Sequence, residues 1–96
     1  MITWVMYDIE NNRARNRVAK FCKQAGLYRV QYSVFLGKVA ASERDALSLK
    51  IEPEINPERD RVYIFAMSRS ELQKCILMGQ AFDKKLVTDE VRALFF

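Results

Sequence analysis

The sequence predicts an α+β fold, with residues 1–96 forming a single domain. Short apolar runs rich in β-branched and aromatic side chains alternate with two segments of helical periodicity. Half of the 96 residues are hydrophobic, which supplies one compact core. A chain of this length buries only about two-thirds of the surface of its unfolded state, so association with a second copy is also plausible.

The first strand is predicted over Ile2 to Tyr7, where every residue except Thr3 is apolar or aromatic. A basic amphipathic helix follows from Asn12 to Ala25, with Asn11 or Asn12 as its N-cap and Gly26 after its end. Apolar and basic side chains recur on opposite faces of this helix. The apolar face carries Ala14, Val18, Phe21, Cys22 and Ala25, and the other face carries Arg13, Arg17, Lys20 and Gln24.

The segment from Arg29 to Val39 predicts two short strands, because its β-forming residues are interrupted near Ser33 or Gly37 by a kink or tight turn. The strands are expected to pair through this turn.

A second helix is predicted to start at Ser42, where Asp45 three residues on resembles a capping box, and to run to about Ile51. Residues 52–60 contain both prolines and predict a loop. The run from Arg61 to Met67 predicts another strand with two apolar faces.

This order, β-α-β-β-α-β, predicts a ferredoxin-like split βαβ sandwich, in which both helices cover one face of an antiparallel sheet. The strands carry apolar side chains on both faces, so the second face would be a large exposed patch. A homodimer formed through this sheet face is the simplest way to cover it.

Residues 68–96 are predicted to be a C-terminal extension that would pair with a partner subunit. Ser70 is expected to cap a short turn, and the apolar run Cys75 to Met78 suggests a fifth strand. Three apolar residues near the end suggest a terminal helix or docking segment: Val91, Leu94 and Phe95.

Composition limits the class of protein. The net charge of +4 favours partners that carry phosphate, although an ordinary basic surface explains it equally well. Cys22 and Cys75 are far apart and the sequence contains no histidine, so a zinc site is not expected. Reduced thiols, the absence of a basic leader and the lack of an apolar run of roughly twenty residues indicate a cytoplasmic protein with no membrane partner.

Asp8 follows the first strand directly. It has three ordinary interpretations: a turn residue, a helix cap, or a salt-bridge partner of Arg13. The functional interpretation is a ligand for Mg²⁺, which takes one or two carboxylates and keeps several waters. One acid per chain is a poor site, but a two-fold dimer brings two copies of Asp8 to one ion.

Arginines in the following helix complement this acid. Arg15 and Arg17 flank the apolar stripe on opposite edges and are expected to reach past the sheet rim, whereas Arg13 points further outward. They would bind phosphates through bidentate hydrogen bonds, or simply form a solvated helix face. Without histidine, phosphodiester cleavage by paired imidazoles is excluded, so any cleavage would depend on a metal ion.

These residues resemble a known family. Tyr7-Asp8-Ile9, the helix arginines, and the run Arg29 to Phe35 ahead of Gly37 are similar to the CRISPR-associated Cas-two family, over roughly residues 1 to 67. The resemblance implies a ferredoxin-like homodimer with Mg²⁺ between paired aspartates and metal-dependent cleavage of RNA or DNA. It also implies that the dimer binds duplex DNA and bridges the adaptation integrase, of the Cas-one family, during spacer acquisition.

The resemblance also assigns residues. It implies that Asp8 is the metal ligand, and that the residues of the catalytic site are Tyr7, Asp8, Arg15, Arg17, Arg29 and Phe35. Physically, Phe35 fits core packing better than base stacking, and Ser33 either donates to a phosphate or marks a strand kink. The side chains expected to bind nucleic acid are Arg13, Arg15, Arg17, Lys20 and Ser33.

One position departs from the family. Many relatives carry an acid where this chain has Leu36, which removes a second carboxylate from the site. Two alternatives therefore stand beside the nuclease: a non-catalytic scaffold that binds nucleic acid, and a ribonuclease toxin of similar fold.

Overall fold

The computed structural model describes residues 1–79 and confirms the predicted order of elements. A single 3₁₀ turn, Glu52–Glu54, follows the second helix. The strands and helices are β1 (Ile2–Asp8), α1 (Asn12–Gln24), β2 (Tyr28–Gln31), β3 (Val34–Lys38), α2 (Ala41–Ile51), β4 (Arg61–Met67) and α3 (Arg69–Gln73).

The four strands form one sheet in the order β2-β3-β1-β4, and every neighbouring pair is antiparallel. This is the arrangement that the split βαβ order predicts. β1 lies between β3 and β4, so its last residue, Asp8, is directly opposite Arg61, the first residue of β4.

The face of the sheet that α1 and α2 cover holds the larger core. Side chains from the sheet and from both helices are buried together there. This packing supplies most of the apolar burial that the fold needs. Its main members are Val5, Tyr7, Phe35, Val18, Cys22, Leu47 and Ile51.

The opposite face of the sheet is only partly covered. α3 folds back onto it and inserts Leu72, which is fully buried against Ile2, Trp4 and Leu36. Towards the Asp8 end of the sheet, three large apolar side chains remain accessible: Met6, Tyr63 and Phe65 are 37, 59 and 39% exposed. We call these three side chains the open-face patch. The chain therefore covers part of the face that was expected to be bare, and leaves part of it for another surface.

Asn11 caps α1 as predicted, its side-chain oxygen accepting from the Ala14 N–H at 2.9 Å, but the caps predicted for the two later helices were wrong. α2 begins at Ala41, and its N-cap Ala40 makes no side-chain cap, because Ser42 already lies inside the first turn and cannot act as a cap. The capping box occurs instead at α3. The hydroxyl of Ser68 accepts from the Glu71 N–H at 3.1 Å and the Glu71 carboxylate accepts from the Ser68 N–H at 2.8 Å, so Ser70 lies within the helix.

The fifth strand predicted over Cys75–Met78 is also wrong. These residues have no regular secondary structure and pair with neither free edge of the sheet. The physical reason is the preceding helix, since α3 carries the chain over the open face rather than alongside a sheet edge. The terminal segment predicted around Val91, Leu94 and Phe95 lies outside the described residues. Among residues 1–79, no helix is long and apolar enough to cross a membrane.

The turn between β2 and β3 lies at Tyr32 and Ser33, so the alternative at Gly37 was wrong. Gly37 is inside β3, where the chain from α1 passes over it. A Cβ at this position would be 3.0 Å from Leu27 Cδ2, 3.2 Å from Leu27 Cα and 3.3 Å from Gly26 O. The glycine is therefore required by close approach of backbone rather than by a turn.

We expect Gly37→Ala to lower the free energy of unfolding by about 1–3 kcal/mol, because two of the three close contacts are backbone atoms that cannot move aside cheaply. The measurement is urea unfolding followed by circular dichroism. Gln31→Ala, at an exposed position in β2, is the control and should change stability by no more than about 0.5 kcal/mol. Equal stability of the two variants would contradict the steric argument.

Candidate functional site

Asp8 is exposed at the carboxyl end of β1. Side chains alternate along a strand, so Trp4, Met6 and Asp8 face the open side of the sheet while Val5 and Tyr7 face the helices. Arg61 is the direct cross-strand partner of Asp8. Among the described residues, no basic group lies within ion-pair distance of the Asp8 carboxylate, which leaves it available to a ligand.

A hollow of about 800 Å³ opens beside Asp8 at this end of the sheet. It combines one carboxylate, two guanidinium groups and exposed aromatic side chains. That mixture suits a ligand with both phosphate and apolar surface. The residues that matter for its chemistry are Asp8, Arg29, Arg61, Tyr32, Ser33 and Tyr63.

Tyr7 attaches the β2–β3 turn to the end of β1. Its backbone N–H donates to Ser33 O at 3.0 Å, and its hydroxyl donates to Tyr32 O at 3.5 Å. The ring is only 6% exposed and stacks on Phe35 with centroids 6.3 Å apart. Tyr7 therefore holds the turn in place from the helix-covered side of the sheet, and it also borders the hollow.

Burial raises the pKa of the Tyr7 phenol above its ordinary value, and the neighbouring Arg29 guanidinium opposes this shift. The weaker charge effects of Cys22 and Arg15 act in opposite directions, raising and lowering the pKa respectively. The phenol consequently stays protonated at neutral pH and remains a hydrogen-bond donor to the turn.

Arg29 lies on the edge strand β2 and is held by an aromatic face. Its guanidinium carbon is 5.1 Å from the centroid of the Phe35 ring, which is fully buried. This cation–π contact fixes the direction of an otherwise flexible side chain. Phe35 thus contacts Arg29 and Tyr7 in the core, as its physical interpretation predicted, and its catalytic assignment stays a prediction.

Arg15 is fixed at the junction between β1 and α1. One guanidinium nitrogen donates to Ile9 O at 3.2 Å, and the other donates to the side chain of Asn12. These contacts tie the start of the helix to the strand that carries Asp8. Arg15 is partly buried and does not line the hollow at Asp8, so the role that its contacts show is to support this corner of the fold.

The other helix arginines belong to a different surface. Arg17 forms an ion pair with Glu54 at 2.9 Å, and it borders a hollow that also contains Arg13, Arg59 and acidic side chains. Lys20 continues this basic row along α1. Arg15 contacts the β1–α1 junction whereas Arg17 pairs with Glu54, and Arg13, Arg17 and Lys20 do not line the hollow at Asp8.

Three residues of the hollow were missed as site residues by sequence reasoning: Arg61, Tyr32 and Tyr63. Arg61 could have been found from topology, because an antiparallel β1–β4 pair places the end of one strand beside the start of the other. The sequence indicates a functional role for Tyr32 less clearly. It is an aromatic residue at a predicted turn, a position where no core burial is expected.

The side chains near Asp8 offer few ligands for a metal ion. Within residues 1–79 no three carboxylate or thiolate side chains come together, so one chain does not form a closed metal site. An exposed carboxylate at the end of a strand fits a hard cation that keeps most of its waters, provided that a second carboxylate comes from another copy. The Leu36 side chain is fully buried beneath α3 and supplies no ligand.

The thiol of Cys22 lies beneath this site and is fully buried. Desolvation raises its pKa to about 12, against the weaker opposing charge of Arg29. A protonated buried thiol is a poor nucleophile and a poor metal ligand. This agrees with the interpretation of Cys22 as a core residue.

Proteins of one known family share the sequence pattern and the fold of this chain. A family model described as CRISPR associated protein Cas2 matches residues 1–75, which include every described strand and helix. The chain belongs to the Cas2 family. The match confirms the resemblance inferred from Tyr7-Asp8-Ile9 and from the run ahead of Gly37, and it makes this chain a CRISPR-associated protein.

Two Cas2 relatives illustrate the sequence similarity. The CRISPR-associated endoribonuclease Cas2 2 of Chloroflexus aurantiacus is 34% identical over 79 residues, which cover 82% of this chain and 93% of the relative. The CRISPR-associated endoribonuclease Cas2 1 of Archaeoglobus fulgidus is 34% identical over 67 residues, covering 70% of this chain and 71% of the relative.

Solved Cas2 structures confirm the ferredoxin-like fold. The crystal structure of Streptococcus pyogenes Cas2 at pH 6.5 superposes with a TM-score of 0.71 at 24% identity, covering 82% of this chain and all of that one. A second Cas2 crystal structure superposes with a TM-score of 0.59 at 34% identity, covering 68% of this chain and 71% of that one.

The raised pKa values of Cys22 and Tyr7 predict how stability depends on pH. For Cys22 the folded pKa of about 12 exceeds the ordinary value of 9.0, so its contribution is complete below about pH 9 and is lost as the pH rises towards 12. Tyr7 adds a similar loss above its ordinary value of 10.0. We therefore expect the free energy of unfolding to fall steadily through this alkaline range.

Urea titrations between about pH 8 and about pH 10.5 test this expectation. Cys22→Ala should flatten the decline between about pH 9 and about pH 10, leaving the part due to Tyr7 at higher pH. Identical pH slopes for the wild-type protein and Cys22→Ala would show that the thiol stays unperturbed in the folded chain.

Proposed function

We propose that this Cas2 family member acts in CRISPR spacer acquisition in the cytoplasm, as a homodimer that binds nucleic acid and cleaves RNA with the help of Mg²⁺. The observation that carries this proposal is the position of Asp8. It is an exposed carboxylate beside two arginines, at the edge of an apolar patch that a second copy can cover.

The open-face patch supports the homodimer. Met6, Tyr63 and Phe65 lie at the same end of the sheet as Asp8, and Phe65 is held by stacking on Trp4 with centroids 6.0 Å apart. A two-fold interface places the same surface on both subunits. Pairing two open-face patches therefore brings two copies of Asp8 near one another, which is the arrangement that the donor set of a single chain lacks.

In such a dimer the two Asp8 carboxylates would hold Mg²⁺. Oxygen ligands and an incomplete protein shell are what this ion prefers, because it retains waters that phosphate oxygens can replace. When bound, the ion supplies Lewis-acid stabilisation of charge on a scissile phosphate. By holding the ion, the two carboxylates would also fix where the phosphate lies relative to the surrounding arginines.

Arg29 and Arg61 bind the phosphate backbone in this scheme. Both line the hollow, and guanidinium groups bind phosphate oxygens through two parallel hydrogen bonds. Arg29 is pre-oriented by the Phe35 ring, so it loses less freedom when a phosphate binds. The sequence contains no histidine, so the arginines would stabilise negative charge on the leaving oxygen and solvent would supply its proton.

The names of the relatives support RNA as the substrate, since two of the most similar curated proteins are described as endoribonucleases. The basic row on α1 supports a second contact with nucleic acid. Arg13, Arg17 and Lys20 lie outside the hollow, where they could hold duplex DNA without affecting cleavage. An adaptation integrase is the protein partner that family membership suggests.

We expect Asp8→Asn to abolish Mg²⁺-dependent cleavage of single-stranded RNA, because the variant keeps the size of the side chain and loses the charge that holds the ion. The measurement is cleavage of an end-labelled RNA by the full chain, with and without a chelator. Asp45→Asn, at an exposed position of α2 on the other side of the sheet, is the matched control and should cleave normally.

Cleavage that survives both Asp8→Asn and the chelator would contradict the proposed metal site. Spacer acquisition in cells, measured with the same variants, tests the adaptation role separately. Acquisition that is retained by Asp8→Asn and lost after removal of the α1 basic row would favour the non-catalytic scaffold. Growth arrest on expression without the integrase would favour the toxin.

We expect Tyr63→Lys to shift the protein towards the monomer, because a charge replaces a 59% exposed aromatic ring in the middle of the open-face patch. The measurement is sedimentation equilibrium over a range of concentrations. Leu49→Lys provides the control, since Leu49 is 69% exposed on α2 and lies away from the patch. A wild-type chain that is monomeric at all concentrations, or a Tyr63→Lys dimer of unchanged affinity, would argue against this interface.

A further inference from the structure

The tip of the β2–β3 hairpin carries an aromatic side chain that the fold does not use. Tyr32 is 92% exposed, and among the exposed apolar and aromatic side chains of residues 1–79 it has the largest accessible fraction. A ring in this position contributes little to core packing and exposes apolar surface to water. What distinguishes this exposed ring is its location, because it lines the same hollow as Asp8 and Arg29.

The tip of the β2–β3 hairpin is anchored to the sheet although the Tyr32 ring is exposed. The carbonyl of Tyr32 accepts from the buried Tyr7 hydroxyl at 3.5 Å, and the carbonyl of Ser33 accepts from the Tyr7 N–H at 3.0 Å. The residue that presents the ring is thus anchored to the strand that ends in Asp8. Such pre-organisation lowers the entropy lost when a ligand stacks on the ring.

We propose that Tyr32 is a stacking platform for an unpaired base, and that it makes the hollow at Asp8 selective for single-stranded nucleic acid. This inference rests on the proposed function, because it places the base of a nucleotide whose phosphates are bound by Arg29 and Arg61. Every base offers a flat face to an aromatic ring once it leaves a helix, so the contact requires no particular sequence.

The chemistry of the hollow agrees with a nucleotide. Its volume of about 800 Å³ falls in the usual range of ligand sites, roughly 300–1,000 Å³. The guanidinium groups would bind the phosphates, and the Tyr32 ring would stack on the base. In a duplex the bases are already stacked on each other, so the ring would have no face to contact unless a base were flipped out at additional cost.

Tyr32 is separate from the residues assigned to the chemical step. It carries no charge, lies on a turn and contributes no carboxylate oxygen for a metal ion. It is not a member of the open-face patch: Met6 and Tyr63 border the same hollow, but Tyr32 lies on the hairpin tip rather than on β1 or β4. Its removal should therefore alter which nucleic acid binds while leaving the fold, the dimer and the metal ligand intact.

Fluorescence anisotropy provides the test. The full chain in the Asp8→Asn background, which should leave the nucleic acid uncut, is titrated with labelled single-stranded RNA, single-stranded DNA of the same sequence, and the matching duplexes. We expect Tyr32→Ala to weaken binding of both single strands by about ten-fold or more and binding of the duplexes by less than about two-fold. Tyr32→Phe and Tyr32→Trp should retain single-strand affinity, because both keep an aromatic face.

A second readout reports stacking directly. Single strands containing 2-aminopurine should lose fluorescence on binding to the wild-type ring and keep it with Tyr32→Ala. Leu49→Ala, which removes another exposed apolar side chain on α2, is the control for a general surface effect. Because the ring would contact the base and not the sugar, the loss should be the same for RNA and DNA.

Several outcomes would overturn the inference. These are unchanged single-strand affinity and quenching in Tyr32→Ala, an equal loss for single strands and duplexes, or a loss confined to one type of sugar. If Asp8-dependent cleavage persists in any of these cases, the inference fails while the proposed function stands. If the wild-type chain neither cleaves RNA nor binds any nucleic acid, both fail.

Discussion

The alternation of side chains at the end of β1 is the constraint on which the rest of the site depends. Two consecutive residues must point to opposite faces of the sheet, so Tyr7 is buried among the helices while Asp8 faces the open side. The buried tyrosine fastens the β2–β3 turn, and the exposed aspartate meets Arg61 across the sheet. A shift of the β1 register by one residue would expose Tyr7 and bury Asp8. The turn would then lose its anchor, and the carboxylate would no longer reach the open face.

The anchored turn connects the core to the ligand-facing surface. Phe35 stacks on Tyr7 from the core side and supports the guanidinium of Arg29 at the rim. Residues that family resemblance associates with catalysis can therefore act without touching a substrate. In this structure Tyr7 and Phe35 contact the residues that face the hollow, and positioning is the role that their burial allows.

Basic side chains line two separate surfaces of the described part of the chain. One lies at the hollow, where Arg29 and Arg61 accompany a single acid. The other lies along α1, where Arg17 is partly neutralised by Glu54 while Lys20 extends the basic row. An exposed ion pair of this kind adds little stability, so the arginine remains able to exchange its partner for a phosphate. Under the proposed function, one basic surface would hold a stretch of nucleic acid while the other acts on a different stretch.

The order of elements, the two apolar faces of the strands, the amphipathic pattern of α1 and the position of Asp8 at the end of β1 all followed from the sequence, because period and residue type are local properties. The caps of α2 and α3 did not, since serine is common near helix starts and only backbone geometry distinguishes Ser68 from Ser42 and Ser70.

The tertiary structure alone decided which residues share a site. Strand register brought Arg61 opposite Asp8, and a turn hydrogen-bonded to Tyr7 brought Tyr32 to the same hollow. It also placed Arg17 on another surface and folded α3 over part of the open face. These contacts join residues that are distant in the chain. Which residues meet depends on how whole strands pair and how whole helices pack, and a local sequence pattern does not encode this.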